Sequence, residues 1–432
     1  MILHPHFDVN EAGHLTVAGV DAVSLAEKYG TPLYLIDTDA VRAMCRLYKN
    51  TVKTAFGGAS VPAYAGKALC YKGLYRLIAE EGLSADCVSS GELYTAHSAG
   101  FPMERVFFHG NNKTDEDLAY ALELGVGHVV VDGTDELEAL ERIAAEKGAR
   151  AKILLRITPG IDPHTHKKIV TGSVDSKFGM AIATGQAFDF VKAALAAPHI
   201  ELDGWHCHVG SQIFDIDPFT DACDIMLAFT ARVKALFGYT PKILNLGGGM
   251  GVRYVEDDPG IDYVKNLTDM GAEFDRMCAL YGLEKPAVVL EPGRSIVAAA
   301  GATLYTCGSV KTVTGFRNYV SIDGGMPDNP RYALYQSRYT VVNASRAAEK
   351  SDFPCTLAGR CCESGDLIAE DAALAQPKRG DIIAVLVTGA YNYSMASNYN
   401  RIPRPPVVEL SSEGDRLAVR RETREDLLAL DL

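Results

Sequence analysis

Leu83-Ser-Ala-Asp86-Cys-Val88, Val106-Phe-Phe-His109 and His128-Val-Val-Val-Asp132 are short apolar runs, each carrying a chemically capable residue at or near its end. Between the second and third lies Asp115-Glu-Asp-Leu-Ala-Tyr-Ala-Leu-Glu-Leu-Gly125, with acids in its first turn and glycine at its end, the pattern of an amphipathic helix. A second such pattern covers residues 135–148. Strand-like runs that alternate with helical ones predict a parallel sheet.

Working outward, the same alternation begins at Val61-Pro-Ala-Tyr-Ala-Gly-Lys67. It continues through Lys152-Ile-Leu-Leu-Arg-Ile157, Leu202-Asp-Gly-Trp-His-Cys-His208, Ile243-Leu-Asn-Leu-Gly247 and Ala287-Val-Val-Leu-Glu291. Eight units over this span fit a (β/α)8 barrel, which takes roughly 250 residues. The barrel also accounts for the polar strand ends. Lys67, Asp86, His109, Asp132, Arg156, His208, the Gly247 cluster and Glu291 would converge on its C-terminal face, where barrel active sites lie. After residue 300 the texture becomes strand-like with Gly, Pro and Asn between the runs, which predicts a mostly antiparallel β domain. Leu15-Thr-Val17 and Pro32-Leu-Tyr-Leu-Ile-Asp37 are candidates to join it. The expected division is a barrel over 43–299 and a β domain from 1–42 with 300–432.

Composition narrows the class. The chain has 432 residues, 47% hydrophobic and 22% charged, ordinary for a globular protein. Its net charge of −13 includes no clustered Lys and Arg, which argues against nucleic-acid binding. The ten cysteines form no CxxC pair and mostly sit in apolar segments, so reduced thiols in a cytoplasmic protein are expected. No apolar run approaches 18 residues, and no basic region precedes an apolar stretch at the start, so neither membrane span nor signal peptide is expected.

Several motifs carry chemistry. Lys67 ends the first run; in an apolar setting its amine would lose its proton and could form a Schiff base, whereas a solvated charge is the plain alternative. Gly247-Gly248-Gly249-Met-Gly251 follows the seventh run, where barrels often bind phosphate; a tight turn is the alternative. Glu291-Pro-Gly293-Arg294 ends the eighth, placing a carboxylate that could hold a pyridine nitrogen and a guanidinium fork for an anion. His206-Cys-His208-Val-Gly-Ser211 ends the sixth. Its paired histidines suggest either a metal site or, for His208 and Ser211, a ring and its phosphate, with His206 an ordinary core residue. Cys361-Cys362-Glu363-Ser-Gly-Asp366 offers a thiol that could return a proton to a carbanion, or simply packs.

Tyr-Ala-x-Lys67, His208-x-Gly-Ser211, Gly247–Gly249, Glu291-Pro-Gly-Arg294, Cys362-Glu-Ser-x-Asp366 and Gly-Ala-Tyr391 occur in this order over nearly the whole chain. Together they resemble the alanine-racemase-fold pyridoxal-phosphate (PLP) decarboxylases, and within them the group acting on diaminopimelate. The resemblance implies decarboxylation of meso-2,6-diaminopimelate to L-lysine and CO2, the last step of lysine biosynthesis. It implies that Lys67 holds PLP covalently, that His208 stacks on its ring, and that Ser211 and Gly249 hold its phosphate. Glu291 is expected at the pyridine nitrogen, with Asp86, Gly247, Gly248, Gly293, Arg294 and Tyr391 as further cofactor contacts. Cys362 or Lys67 would return the proton, Cys362 coming from the partner in a homodimer with composite sites. No metal is implied.

The distal end of this substrate carries a carboxylate and an ammonium. Arg331, in Asp328-Asn-Pro-Arg-Tyr-Ala-Leu-Tyr335, and Arg294 are expected to take the carboxylate, and Glu363 the ammonium, with Tyr335 and Tyr391 adding hydroxyls. Ornithine and lysine carry only an ammonium there and should be rejected. The segment from His164-Thr-His166 to Asp175-Ser-Lys-Phe-Gly179 also resembles this group, and its histidines are not read as metal ligands. Leu69 departs from the asparagine of many relatives, and Gly66 replaces a bulkier residue. The rivals are a metal-dependent amidohydrolase, a non-catalytic PLP-binding regulator, and sibling decarboxylases for ornithine, arginine or carboxynorspermidine.

Overall fold

The computed structural model describes residues 2–160 and 175–432, so His164 and His166 lie outside the described residues. The chain divides into two compact units, one of Met44–Gly251 with Ile261–Gly293, the other of Met1–Ala43 with Val252–Gly260 and Arg294–Leu432.

The first unit is built on eight strands: β1 (Val61–Ala65), β2 (Ser84–Cys87), β3 (Val106–Phe108), β4 (His128–Val131), β5 (Ala151–Thr158), β6 (Ile200–His206), β7 (Ile243–Asn245) and β8 (Ala287–Leu290). Each pairs in parallel with the next, and β8 pairs back onto β1 through Val289↔Val61, so the sheet closes on itself. These are the eight runs expected from the sequence. Their near-continuous apolar character is what a strand covered on both faces requires. Ala63, Phe107, Val130, Leu154 and Val289 form one buried cluster from five of the strands. Register then sets the polar layer. Arg156 of β5 pairs with His206 of β6, and His206 with Asn245 of β7, so three polar side chains fall on one row.

Local signals fix the connections. The helix Asp115–Glu123 starts at a capping box in which Thr114 and Asp117 satisfy each other's backbone N–H groups. On β6 the register shifts between Leu202 and Gly204, where a Cβ would overlap the Ile243 carbonyl. Glycine is therefore required at that irregularity. Trp205, fully buried, donates to Thr230 of the helix Asp217–Phe237 at 3.1 Å and packs edge-on against Phe229.

The second unit carries a sheet in the order Leu367–Leu374, Phe353–Ala358, Arg317–Ile322, Gly301–Val313, Leu33–Asp37, Val407–Ser411, Gly414–Val419. Ile382–Leu386 pairs with Gly301–Val313 and with Val341–Asn343. Most pairings are antiparallel; Arg317–Ile322 with Phe353–Ala358, and Val407–Ser411 with Leu33–Asp37, are parallel. Leu33–Asp37 joins this sheet as expected. Leu15–Val17 falls in the same unit, as expected, but in a separate three-stranded sheet with Phe7–Val9 and Val20–Asp21, whose short turns leave it only local partners.

Candidate active site

In the barrel unit the C-terminal strand ends gather the chemically active residues. Lys67 lies on the single turn Gly66–Ala68 that follows β1. Gly66 is forced, because a Cβ there would overlap the Tyr75 hydroxyl and come within 3.0 Å of the Asp86 carbonyl. Lys67 itself is exposed, unlike the buried amine its apolar run suggested. The reason is geometric: the turn carries it past the apolar layer of the strand.

At other strand ends, Asp86, His109, His206 and Glu291 are all buried. Asn245 Nδ2 donates to Glu291 Oε1 at 2.6 Å, and His206 Nε2 lies 3.3 Å from Oε2. His109 Nε2 is 2.8 Å from Glu291 Oε1 and 3.9 Å from Asp86 Oδ1, off the line of a hydrogen bond in each case. Burial raises the Asp86 carboxyl above its ordinary range. Burial alone would raise Glu291 too, but the two histidines beside it hold it well below the usual carboxylate value. Burial drives the His206 imidazolium pKa down to about 3, so this ring is neutral. His206 is thus part of the carboxylate's surroundings and not the ordinary core histidine expected. Arg156 Nε stands 3.7 Å from Asp132 Oδ1, and its guanidinium lies over the Phe178 ring at 4.1 Å.

The glycine run is hemmed in by backbone. A Cβ on Gly247 would lie 2.6 Å from the Cys207 carbonyl oxygen and 2.8 Å from His208 Nδ1. One on Gly248 would overlap the Glu291 carbonyl, and one on Gly249, at φ +127°, the Gly210 carbonyl. Gly248 N–H points to His208 Nδ1 at 3.3 Å, while Gly247 N–H donates to Asn245 Oδ1 at 2.9 Å. Ser211 is half-buried in the loop after β6, and Ile213 N–H donates to the Gly249 carbonyl at 3.0 Å. Gly293 is equally forced: its Cβ would meet Ala65 Cβ at 2.9 Å.

In the second unit two guanidiniums share one aromatic group. Arg294 and Arg331 are both buried. Arg294 Nη1 donates to the Tyr254 hydroxyl at 2.7 Å, and its guanidinium lies 4.7 Å from the Tyr391 ring. Arg331 lies 5.4 Å from the Tyr391 ring and 5.6 Å from that of Tyr335. Its Nη2 donates to Ser337 at 3.2 Å, while its Nε has no hydrogen-bond partner among the described residues. Tyr391 adopts φ +63°, a left-handed conformation costly for a tyrosine. Cys362 and Glu363 are exposed on a turn held from below by buried Asp366, which accepts Met326 N–H at 2.6 Å and Cys361 N–H at 2.7 Å. The structure thus groups Arg294, Arg331, Tyr335 and Tyr391, and leaves Cys362 and Glu363 facing solvent.

Reading the sequence missed Asn245 and Tyr254. Asn245 is a polar residue inside an apolar run, two positions before the glycines, and that was its signal. Tyr254 falls in a segment with no local pattern. His109 and Arg156 were visible as strand ends without an assigned role.

PLP needs a backbone cradle for phosphate, an anion for its ring nitrogen and an amine. The glycine run carries no side chains that would bar an anion from its backbone N–H groups. Asp86 Oδ1 and His206 Nδ1 are buried without hydrogen-bond partners among the described residues, which suits a polar ring seated against them. The donor set therefore fits the cofactor.

The sequence matches the family described as pyridoxal-dependent decarboxylase, pyridoxal binding domain, over residues 39–298. It is 48% identical to diaminopimelate decarboxylase of Bacillus subtilis over 435 aligned residues, covering 100% of this chain and 98% of that one. The structure superposes on diaminopimelate decarboxylase of M. jannaschii in complex with L-lysine with TM-score 0.91 and 35% identity, covering 100% and 99% of the two chains. The Helicobacter pylori enzyme with L-lysine gives 0.85 and 33%, covering 94% of this chain and 98% of that one. Among the described residues no helix is long and apolar enough to cross a membrane. The chain therefore belongs to the diaminopimelate decarboxylase family of pyridoxal-dependent decarboxylases.

Proposed function

We propose that this chain removes one carboxylate from meso-2,6-diaminopimelate to give L-lysine and CO2, the last step of lysine biosynthesis, with PLP as cofactor. The carrying observation is 48% identity along the full length to a diaminopimelate decarboxylase, joined to two buried guanidiniums on one aromatic group. Two adjacent buried cations are costly unless an anion meets them. A distal carboxylate supplies it; the ammonium of ornithine does not.

When bound, PLP supplies the electron sink that decarboxylation requires. In this reading Lys67 holds it covalently, Gly247, Gly248, Gly249 and Ser211 take its phosphate, and His208 covers one ring face. Glu291 meets the ring nitrogen, with Asp86, Gly293, Arg294 and Tyr391 completing the seat. Arg294 and Arg331 fix the distal carboxylate, with Tyr335 and Tyr391 beside it, and Glu363 the distal ammonium. Holding both distal charges orients the scissile carboxylate at the other end of the substrate. Cys362 or Lys67 then delivers a proton to the carbon that lost CO2.

We read Cys362 and Glu363 as serving the site of a second copy. Their exposure on an anchored turn supports a homodimer with composite sites. The barrel is taken as residues 43–299 and the β domain as 1–42 with 300–432. A cytoplasmic location is supported by ten cysteines of which none is in a disulfide.

Mass spectrometry of products tests the reading. Purified protein with PLP should form L-lysine from meso-diaminopimelate, and no putrescine or agmatine from L-ornithine or L-arginine. Putrescine would overturn the assignment of the distal residues; no product from any substrate would overturn the activity.

A further inference from the structure

We propose that His109 and His206 are positioning residues that keep Glu291 an oriented anion, each by a different means. The inference rests on the reading of Glu291 as the partner of the cofactor nitrogen.

Glu291 ends β8 in a buried layer, where a carboxylate without donors would take up a proton. Its surroundings prevent this with donors that the fold itself fixes. Asn245 is held by its own side-chain oxygen, which accepts Gly247 N–H at 2.9 Å. Its amide hydrogens therefore face Glu291, and the amide cannot flip without losing that bond. The Glu291 N–H donates to the Gly247 carbonyl at 2.8 Å, fixing the backbone end. His206, the register partner of Asn245 on the next strand, presents Nε2 to the other carboxylate oxygen. The two histidine rings meet edge-on at 4.7 Å, so neither can turn without displacing the other.

The types of donor matter. A lysine or arginine beside Glu291 would cancel its charge and leave the ring nitrogen without an anion. His206 is neutral, so it orients the carboxylate and leaves the negative charge in place. His109 does something else: its Nε2 stands between Glu291 Oε1 and Asp86 Oδ1. Without it two buried carboxylates would face each other, and one of them would become protonated. His109 thus separates the charge needed at the ring nitrogen from a neighbour that would suppress it.

The ligand atoms of His109, His206 and Glu291 all lie within 4.8 Å of one another, which also suits a metal ion. The Asn245 amide argues against one. It aims hydrogens at Glu291 Oε1, the oxygen nearest His109, and a cation there would face them.

The experiment compares His109→Ala, His109→Gln, His206→Gln and Glu291→Gln with the wild type. PLP affinity is measured by dialysis, the pH dependence of the holoenzyme's visible spectrum by titration, and kcat and KM by lysine release. His109→Ala should weaken PLP binding about tenfold to hundredfold, the order of a shift of about one to two pH units in the carboxylate at the ring nitrogen when a like charge faces it. It should also introduce a new spectral titration and lower kcat more than it changes KM. His109→Gln, which keeps a polar side chain between the two carboxylates, should recover most of this; a merely structural role would not move the titration. His206→Gln serves as the second variant if His109→Ala fails to fold. PLP affinity and spectra within threefold of wild type in the folded histidine variants, with Glu291→Gln impaired, would overturn this inference alone. An unimpaired Glu291→Gln would instead overturn the assignment of Glu291 on which it rests.

Discussion

Arg331→Met isolates the charge that the proposed substrate specificity depends on. The arginine is 8% exposed, and its stem and guanidinium lie among Tyr254, Tyr335 and Tyr391. Methionine keeps most of that apolar contact and removes the cation. A hydrogen bond to a charged group contributes about 1.5–3 kcal/mol, which corresponds to a loss of roughly 10-fold to 200-fold in kcat/KM. Abolition is not expected, because Arg294 still faces the same aromatic group. Stability should change by no more than about 1–2 kcal/mol, since the lost cation–π contacts are offset by relief of repulsion between two buried cations. Decarboxylation at one end leaves the distal amino-acid group of the product intact. Inhibition by L-lysine should therefore weaken by a similar factor. The assay is lysine release by mass spectrometry with urea unfolding as control. A folded Arg331→Met whose kcat/KM and lysine inhibition stay within threefold of wild type would refute the reasoning.

Other perturbations probe other parts. Lys67→Ala should abolish covalent PLP attachment, read as the absence of added cofactor mass after borohydride reduction; retained wild-type turnover would remove Lys67 from its role. Cys362→Ala should slow lysine formation more than it weakens PLP binding, and an unchanged rate would exclude this thiol as proton donor. Gly248→Ala drives a methyl group into the Glu291 carbonyl and should cost about 1–3 kcal/mol of stability, so an unshifted urea midpoint would contradict the packing. The fourth concerns pH. His206 is held neutral with a pKa of about 3, far below its ordinary value, so from about pH 6.5 down to 3 the unfolded chain binds one proton more than the folded chain. Stability from this group is therefore lost as pH falls, by up to about 1.4 kcal/mol per pH unit. Urea midpoints at pH 5 and 7 should differ less in His206→Gln than in wild type; equal differences would show that His206 does not titrate on unfolding.

The barrel was legible because its strands are short apolar runs closed by polar residues, and the closed sheet places each such end on one rim. Asp86, His109 and Glu291 are all found that way. Side-chain roles were less legible where they depend on the neighbouring strand. That Asn245 meets Glu291 follows from the parallel register of β7 and β8, which no local pattern encodes. The exposure of Lys67 was hidden because a one-turn helix, not the strand, carries it. In the β unit the strands could be read but not their partners. The parallel pairing of Leu33–Asp37 with Val407–Ser411 joins segments from opposite ends of the chain. Tyr254 illustrates the same limit, since its contact to Arg294 spans 40 positions.

The Gly247–Gly249 run has a consequence for motion. A string of glycines usually signals slack, yet here each missing side chain is replaced by a different carbonyl from the loop after β6 or the end of β8. The loop is a keyed joint between three parts of the barrel. Its amides should exchange with solvent as slowly as those of the strands it bridges, so the loop holds one shape.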